Sequence, residues 1–319
     1  MKQAAPTRGQ GDLGVHSLDH FSMSVPDMSA AEKFYGAFGL ETRTDGAKLG
    51  LYTAGSAHRW GVLTEGPRKR LHYLSFGAFA EDFPRLLKRI ELRGIERLDP
   101  PPGLDSDGLW FRDVDGTLLE VVAAEKTSPH RKSSFVNPSV PGGERGAPFR
   151  SSAPRVQPRR LSHVLVFTAD VRKTIAFYQD VLGLRLSDRS GNDIAFMHGI
   201  HGSDHHLIAF ARSNAPGMHH CSWAVGSVNE IGLGAMQMAT AGFAAGWGMG
   251  RHVLGSNYFH YVRDPWGSYS EYSADIDYIP ADADWQSGDH PPEDAMHLWG
   301  PGMPADFVFN YEATEANMG

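Results

Sequence analysis

A single cysteine, Cys221, excludes any internal disulfide in this chain of 319 residues. A reducing cytoplasm is the expected setting. No apolar run approaches the ~18 residues that a membrane span needs. The opening stretch, MKQAAPTRGQGDLG, lacks the apolar core of a signal peptide. Positive charge is also in short supply. Lys and Arg number 30 against 37 Asp and Glu, a formal net charge of -7, which weighs against nucleic acid as a partner. From Tyr278 to Gly319 there is no Lys or Arg at all. What is present is apolar material, 41% of the chain, sufficient for two ordinary cores. Histidine is present too: 16 in all, four of them in two adjacent pairs within GSDHHLIAFARSNAPGMHHCSW, 202–223.

An internal repeat organises the chain. LDHFSMSVPDMSAAEKFYGAFGLE (18–41) and LSHVLVFTADVRKTIAFYQDVLGLR (161–185) both open with Leu-x-His and an extended apolar run. Both continue into a helical pattern with Phe-Tyr and end at Gly-Leu. Ser29 with Glu32 reads as a capping box. Phe34/Phe38 and Phe177/Val181 share a face at i,i+4. Gly39 and Gly183 suit the left-handed position after a helix. Later, LHYLSF (71–76) parallels MHHCSW (218–223), and DVDGTLLEV (113–121) parallels DPWGSYSEY (264–272). An Asp-x-x-Gly turn entering a strand explains the Asp and the Gly. It leaves the Glu, seven after the Asp, unexplained.

The expected organisation is a tail (1–14), a first module (15–127), a linker (128–158), a second module (159–277) and a tail (278–319). Each module reads as strand, helix and three strands, with further helices at FPRLLKRIELRGI and VNEIGLGAMQMATAGF. The linker is rich in Pro, Ser and Gly with mostly basic charges, and predicts extended chain on the surface. The last tail is acidic and carries Trp285, Trp299 and Phe307. Opposite charge predicts contact between linker and tail, and the aromatic residues suit a lid.

In the second module, His163, His220 and Glu271 fall on the first, third and last strands of the repeat. Two His and one carboxylate form the facial set of mononuclear non-haem Fe(II) sites. Alternation along HHCSWAV puts His219, Cys221 and Trp223 on one face and His220 and Ser222 on the other. The bulky face packs inward on helices, so His220 faces the cleft and His219 is structural. Cys221 reads as an inert buried thiol. In DHHLIAF both faces are apolar, and alternation leaves His205 and His206 undecided. In the first module His20 and Glu120 match His163 and Glu271. Tyr73 stands where His220 does and His72 where His219 does, so the first site reads as vestigial.

Residues 160–277 resemble the type I extradiol ring-cleavage dioxygenases of the vicinal oxygen chelate superfamily. The likeness is carried by GRHVLGSNYFHYVRDPWGSYSEY (250–272), with His252, Tyr261 and Glu271 at the family's spacing, and by His206, fourteen before His220. The resemblance implies an α+β fold of two tandem vicinal-oxygen-chelate modules, each of paired βαβββ units forming an open mixed barrel. It implies metal ligands His163, His220 and Glu271, with Fe(II) expected and Mn(II) as substitute. It selects His206 over His205 and makes His206, His252 and Tyr261 catalytic. Tyr261 and His252 would assist loss of a proton from a bound diol. His206, titrating near neutrality, would serve the O2 side. His198, Trp247 and Leu165 are implied around the substrate, and His205, His219 and His260 are left structural. The expected partners are a catechol-type aromatic and O2, with neither nucleic acid nor membrane, and a homo-oligomer. The rivals are a glyoxalase-like metal-dependent lyase or isomerase, and a non-catalytic binding protein of the same fold.

Overall fold

A computed structural model describes residues 12–136 and 139–313, so most of the N-terminal tail lies outside the described residues. The first module runs β1 (Ser17–Val25), α1 (Met28–Phe38), β2 (Glu41–Asp45), β3 (Lys48–Tyr52), β4 (Arg59–Glu65), β5 (Arg70–Ala78), α2 (Phe83–Leu92), β6 (Leu109–Arg112) and β7 (Leu118–Ala123). The second runs β8 (Arg160–Thr168), α3 (Val171–Phe177), β9 (Arg185–Ser190), β10 (Ile194–His198), β11 (Ser203–Asp204), β12 (Ile208–Arg212), β13 (Gly217–Ala224), α4 (Val228–Thr240), β14 (Gly246–His252), β15 (Tyr258–Arg263) and β16 (Tyr269–Ala274). The tail adds β17 (Tyr278–Ile279), β18 (Gly288–Asp289) and β19 (His297–Trp299).

Each module is one mixed sheet built from two halves. The first has the order β2-β3-β4-β1-β5-β7-β6. The second has β9-β10-β12-β8-β13-β16-β15-β14, with β18 and β19 closing its two edges. In both, the halves meet as an antiparallel pair, β1 with β5 and β8 with β13. The repeat's two-module plan is present, in the vicinal oxygen chelate fold that the resemblance implied. Covering the edges with tail strands removes unpaired backbone that would otherwise recruit another chain.

Local chemistry sets the helix ends. The cap of α1 is Asp27, whose carboxylate accepts from the N–H of Ala30, and Ser29 lies inside the helix. The capping box is therefore corrected by two residues. Asp170 caps α3 in the same way, and Gly39 and Gly183 take left-handed φ of 99° and 73°. There the chain reverses onto Val156 and Leu13, leaving no room for a Cβ at either glycine.

One apolar core runs through both modules. Phe38 of α1 stacks on Tyr272 of β16 with centroids 3.8 Å apart, and the Tyr272 hydroxyl donates to the Phe38 carbonyl at 2.8 Å. Burying side chains of this size contributes on the order of 2–3 kcal/mol each. The linker carries only a short helical turn, Arg150–Ser152, and among the described residues no ion pair joins it to the tail. The expected linker–tail contact is thus replaced. Tail acids pair with the modules instead, Asp289 with Arg189, Asp306 with Arg263 and Glu312 with Lys69. No helix among the described residues is long and apolar enough to cross a membrane.

Candidate metal centre and its cleft

Strand register assembles the site. His163 on β8 stands opposite Ser222 on β13, which stands opposite Glu271 on β16, which stands opposite Tyr261 on β15. Residues paired across a sheet share a face. His220, two before Ser222, shares it too. The row therefore points two imidazoles, a carboxylate and a phenol into one concave cleft, and the small Ser222 leaves space between them.

The donor atoms of His163, His220 and Glu271 all lie within 4.8 Å of one another, and all three residues are buried. Glu271 Oε2 is 3.3 Å from His163 Nε2 and 3.8 Å from His220 Nε2. Both His220 Nε2 and Glu271 Oε2 are buried without a hydrogen-bond partner. Two orphaned buried lone-pair atoms cost several kcal/mol unless something binds them. A divalent cation fits this donor set. Burial alone raises the Glu271 carboxyl, but the adjacent His163 imidazole, with His252 behind, holds it below its ordinary range. It is therefore a carboxylate. Asn257, which sequence reasoning missed, donates to Glu271 Oε1 at 3.2 Å and lines the cleft. Nothing in its local sequence distinguishes it from a turn residue.

The two His-His pairs turn out to be matched devices. In the first, the Phe307 carbonyl, 2.6 Å from His219 Nε2, can only accept, so Nε2 carries the proton. His219 Nδ1 then accepts from His220 Nδ1–H at 2.7 Å, which leaves His220 Nε2 as a bare lone pair facing Glu271. In the second pair, the Asp188 carboxylate accepts from His205 Nε2–H at 2.9 Å. His205 Nδ1 accepts from His206 Nδ1–H at 3.0 Å, and His206 Nε2 is free toward the cleft. His205 and His219 were expected to be bystanders; each instead orients and sets the tautomer of its inner neighbour. Burial, then the nearby imidazoles, push His206 and His220 well below the ordinary imidazole range. His206 is therefore neutral at rest, not poised near neutrality as expected.

A third chain of bonds ends at Tyr261. The Met296 carbonyl accepts from His252 Nδ1–H at 2.7 Å, so His252 Nε2 accepts from the Tyr261 hydroxyl at 2.9 Å. The phenol oxygen keeps its lone pairs for the cleft. Burial, reinforced by Glu271, raises the Tyr261 pKa well above 10, so the proton stays on the phenol.

The cleft has a volume of about 320 Å³. Its apolar walls are Leu165, Phe196, Ala209 and Leu254, and the tail contributes Met296 and Phe307. Of the implied pocket residues, Leu165 lines it. His198 does not: the register of β10 against β9 slips after Phe196, and His198 turns to the Ser187 hydroxyl at 2.8 Å. Trp247 does not either; it lies behind Tyr261, rings 5.6 Å apart and nearly parallel, with its indole N–H on the Pro301 carbonyl. His260 makes no contact with the cleft.

The first module repeats the row with other chemistry. His20, Ser75, Glu120 and Trp110 stand in register as His163, Ser222, Glu271 and Tyr261 do. Tyr73 fills the third-ligand position, its hydroxyl 3.1 Å from His20 Nε2. Among the described residues, only His163, His220 and Glu271 form a three-donor group.

The Glyoxalase/Bleomycin resistance protein/Dioxygenase superfamily model matches residues 160–272. Metapyrocatechase 2 of Cupriavidus necator is 52% identical over 299 residues, covering 94% of this chain and 93% of that protein. Among solved structures, the Mn(II)-bound glyoxalase from Novosphingobium aromaticivorans aligns with a TM-score of 0.73 at 25% identity, over 95% of this chain and 99% of that one. An extradiol ring-cleaving dioxygenase from B. fuscum aligns with a TM-score of 0.74 at 20% identity, over 96% and 84%.

Proposed function

We propose how this chain, which belongs to the glyoxalase/bleomycin resistance protein/dioxygenase superfamily and is an extradiol dioxygenase opening a catechol-type ring with O2, divides that reaction among its residues. The observation that carries the reading is the trio of buried donors with two orphaned atoms, ringed by His206, His252 and Tyr261. His163, His220 and Glu271 are the metal ligands, and Fe(II) is the metal, with Mn(II) the substitute. When bound, the cation supplies open positions beside three protein ligands and a charge that favours loss of a diol proton.

The residues do the rest. Tyr261 presents lone pairs to a diol hydroxyl while its own proton points at His252 Nε2. A proton leaving the diol thus passes to Tyr261 as the phenol proton moves to His252. Met296 holds the imidazole in the tautomer that can receive it. His206 stands on the other side of the metal ligands, its ring 4.0 Å from that of His163. Its free Nε2 is placed to take the second diol proton and return it to an oxygen as the O–O bond breaks. Leu165, Phe196 and Leu254 exclude water and hold the ring. Residues 278–319 act as a lid.

The test is anaerobic loading with Fe(II), followed by catechol and air. One O2 consumed per catechol and a yellow ring-opened product are expected, and Glu271→Gln abolishes iron retention. No O2 uptake across mono- and bicyclic catechols defeats the assignment. An active, iron-loaded Glu271→Gln enzyme removes that residue from the ligand set.

A further inference from the structure

The cleft of the N-terminal module, closed by Ala215, Pro216 and Gly217 of the second module and by Glu312 of the tail, holds a cavity of about 690 Å³, against about 320 Å³ for the metal cleft. The two are the same cleft of the fold. In the second module β12 runs parallel to β8 with Ala209 opposite Leu165, and Leu165, Ala209, Ala211 and His220 line the metal cleft. In the first module β4 runs parallel to β1 with Val62 opposite Ser22, and Ser22, Val62, Thr64 and Tyr73 line the second cavity. At these four strand positions the lining matches. The chemistry does not.

Cations take the place of metal donors. Lys48, Arg59, Arg70 and Arg112, each at the end of a strand, and Arg68, between β4 and β5, all line this cavity. Among the described residues, the only carboxylate lining it is that of Glu312. That group is already engaged, 2.6 Å from Lys69 Nζ and accepting the backbone N–H of Leu71 and of Met218, each at 2.9 Å. Among the described residues, Lys48, Arg59, Arg70 and Arg112 form no ion pair with a carboxylate. Lys48 and Arg112 donate only to the backbone carbonyls of Gly103 and Gly116, so these four like charges meet around a hollow without a carboxylate to balance them, the more notable in a chain of net charge -7. A concave wall of one sign focuses the field on whatever anion enters. Guanidinium groups pair carboxylates through two parallel hydrogen bonds. Val62, Leu104 and Leu118 add apolar wall, which serves a carbon skeleton and is of no use to a bare inorganic ion.

We propose that this cavity is a binding site for a small organic carboxylate, held by Arg59, Arg70 and Arg112 in the cleft where the second module holds its metal. Ring opening beside a diol converts one ring carbon into a carboxylate, so the product of the reaction assigned above belongs to this class; that link alone rests on the dioxygenase reading.

The experiment is calorimetric titration of the iron-loaded enzyme with cis,cis-muconate, a six-carbon dicarboxylate, and separately with inorganic phosphate. Saturable binding of one muconate per chain is expected, at least about tenfold tighter than phosphate, and at least about tenfold weaker in the Arg59→Gln/Arg70→Gln/Arg112→Gln variant. Catechol turnover by that variant stays within about twofold of the parent, since none of the three touches the metal cleft. Leu104→Glu, a single wall substitution, gives the same loss by repulsion and serves if the triple variant does not fold. Absence of muconate binding, equal binding by the variants, phosphate as tight as muconate, or displacement of muconate by a catechol analogue overturns the proposal. Failure of catechol turnover in the parent enzyme strikes the dioxygenase reading and leaves the binding result standing.

Discussion

At the scale of the residue, each adjacent histidine pair does one job with two rings. The inner ring faces the cleft through Nε2, and the outer ring fixes which inner nitrogen carries the proton. The anchors differ, a backbone carbonyl for His219 and the Asp188 carboxylate for His205. Strand alternation was enough to separate His220 from His219. It was not enough for His205 and His206, because both precede β12 and lie in a loop, where the two-residue period does not operate. Asp188→Asn, with His205→Phe in parallel, is expected to lower kcat by roughly 10- to 100-fold, the usual cost of losing an outer orienting partner. KM for catechol and iron content stay within about twofold. Oxygen-electrode kinetics with metal analysis check this; iron lost in step with activity would mark these residues as supports of the fold instead.

At the scale of the element, the tail is part of the site. Met296 and Phe307 line the cleft, and their carbonyls set the tautomers of His252 and His219. His290 donates to Asp188 at 2.7 Å, and Trp285 packs against His205 with ring centroids 5.6 Å apart. Two histidine chains thus end on this segment, and the third ends on Asp188 of β9, which His290 of the segment also reaches. Its acidity was legible in sequence, but its partners were not, because short β-bridges to the edges of a distant sheet leave no periodic pattern. Ending the chain after Ala281 is expected to cost roughly 100-fold in kcat/KM, comparable to loss of a general base, and to raise KM by admitting water. Unchanged KM and kcat in the shortened enzyme would show that the tail plays no part as a lid.

At the scale of the molecule, the modules are joined through a titratable turn. Asp113 accepts the N–H groups of Asp115 and Thr117 in the Asp-x-x-Gly turn, and the Tyr178 hydroxyl of the second module donates to it at 3.0 Å. Burial, opposed by these hydrogen bonds, leaves its pKa raised to about 6 from 3.8. A raised carboxyl contributes stability that is fully present below its unfolded pKa and is lost as pH rises through about 6. Asp113→Asn is therefore expected to be more stable than the parent at pH 8, by about 1–2 kcal/mol, and no more stable near pH 4. Urea unfolding midpoints at the two pH values measure this, and a gain that is the same at both would contradict it.

The sequence by itself determined the two-module fold and singled out three candidate metal donors, because these rest on features local to a strand or repeated between copies: alternation, helix ends, and Glu seven residues after the Asp of a turn; the family followed from the resemblance carried by 250–272. Register made them converge, and equal spacing in the two copies made that register readable. Only the tertiary structure decided what surrounds them. The tautomers of His219, His252 and His205 depend on a carbonyl or carboxylate 88, 44 and 17 residues away in sequence. The charge of the first module's cleft depends on side chains from four separate segments, at 48, 59, 68–70 and 112. Long-range contacts of that kind are set by packing between elements, and no spacing along the chain encodes them.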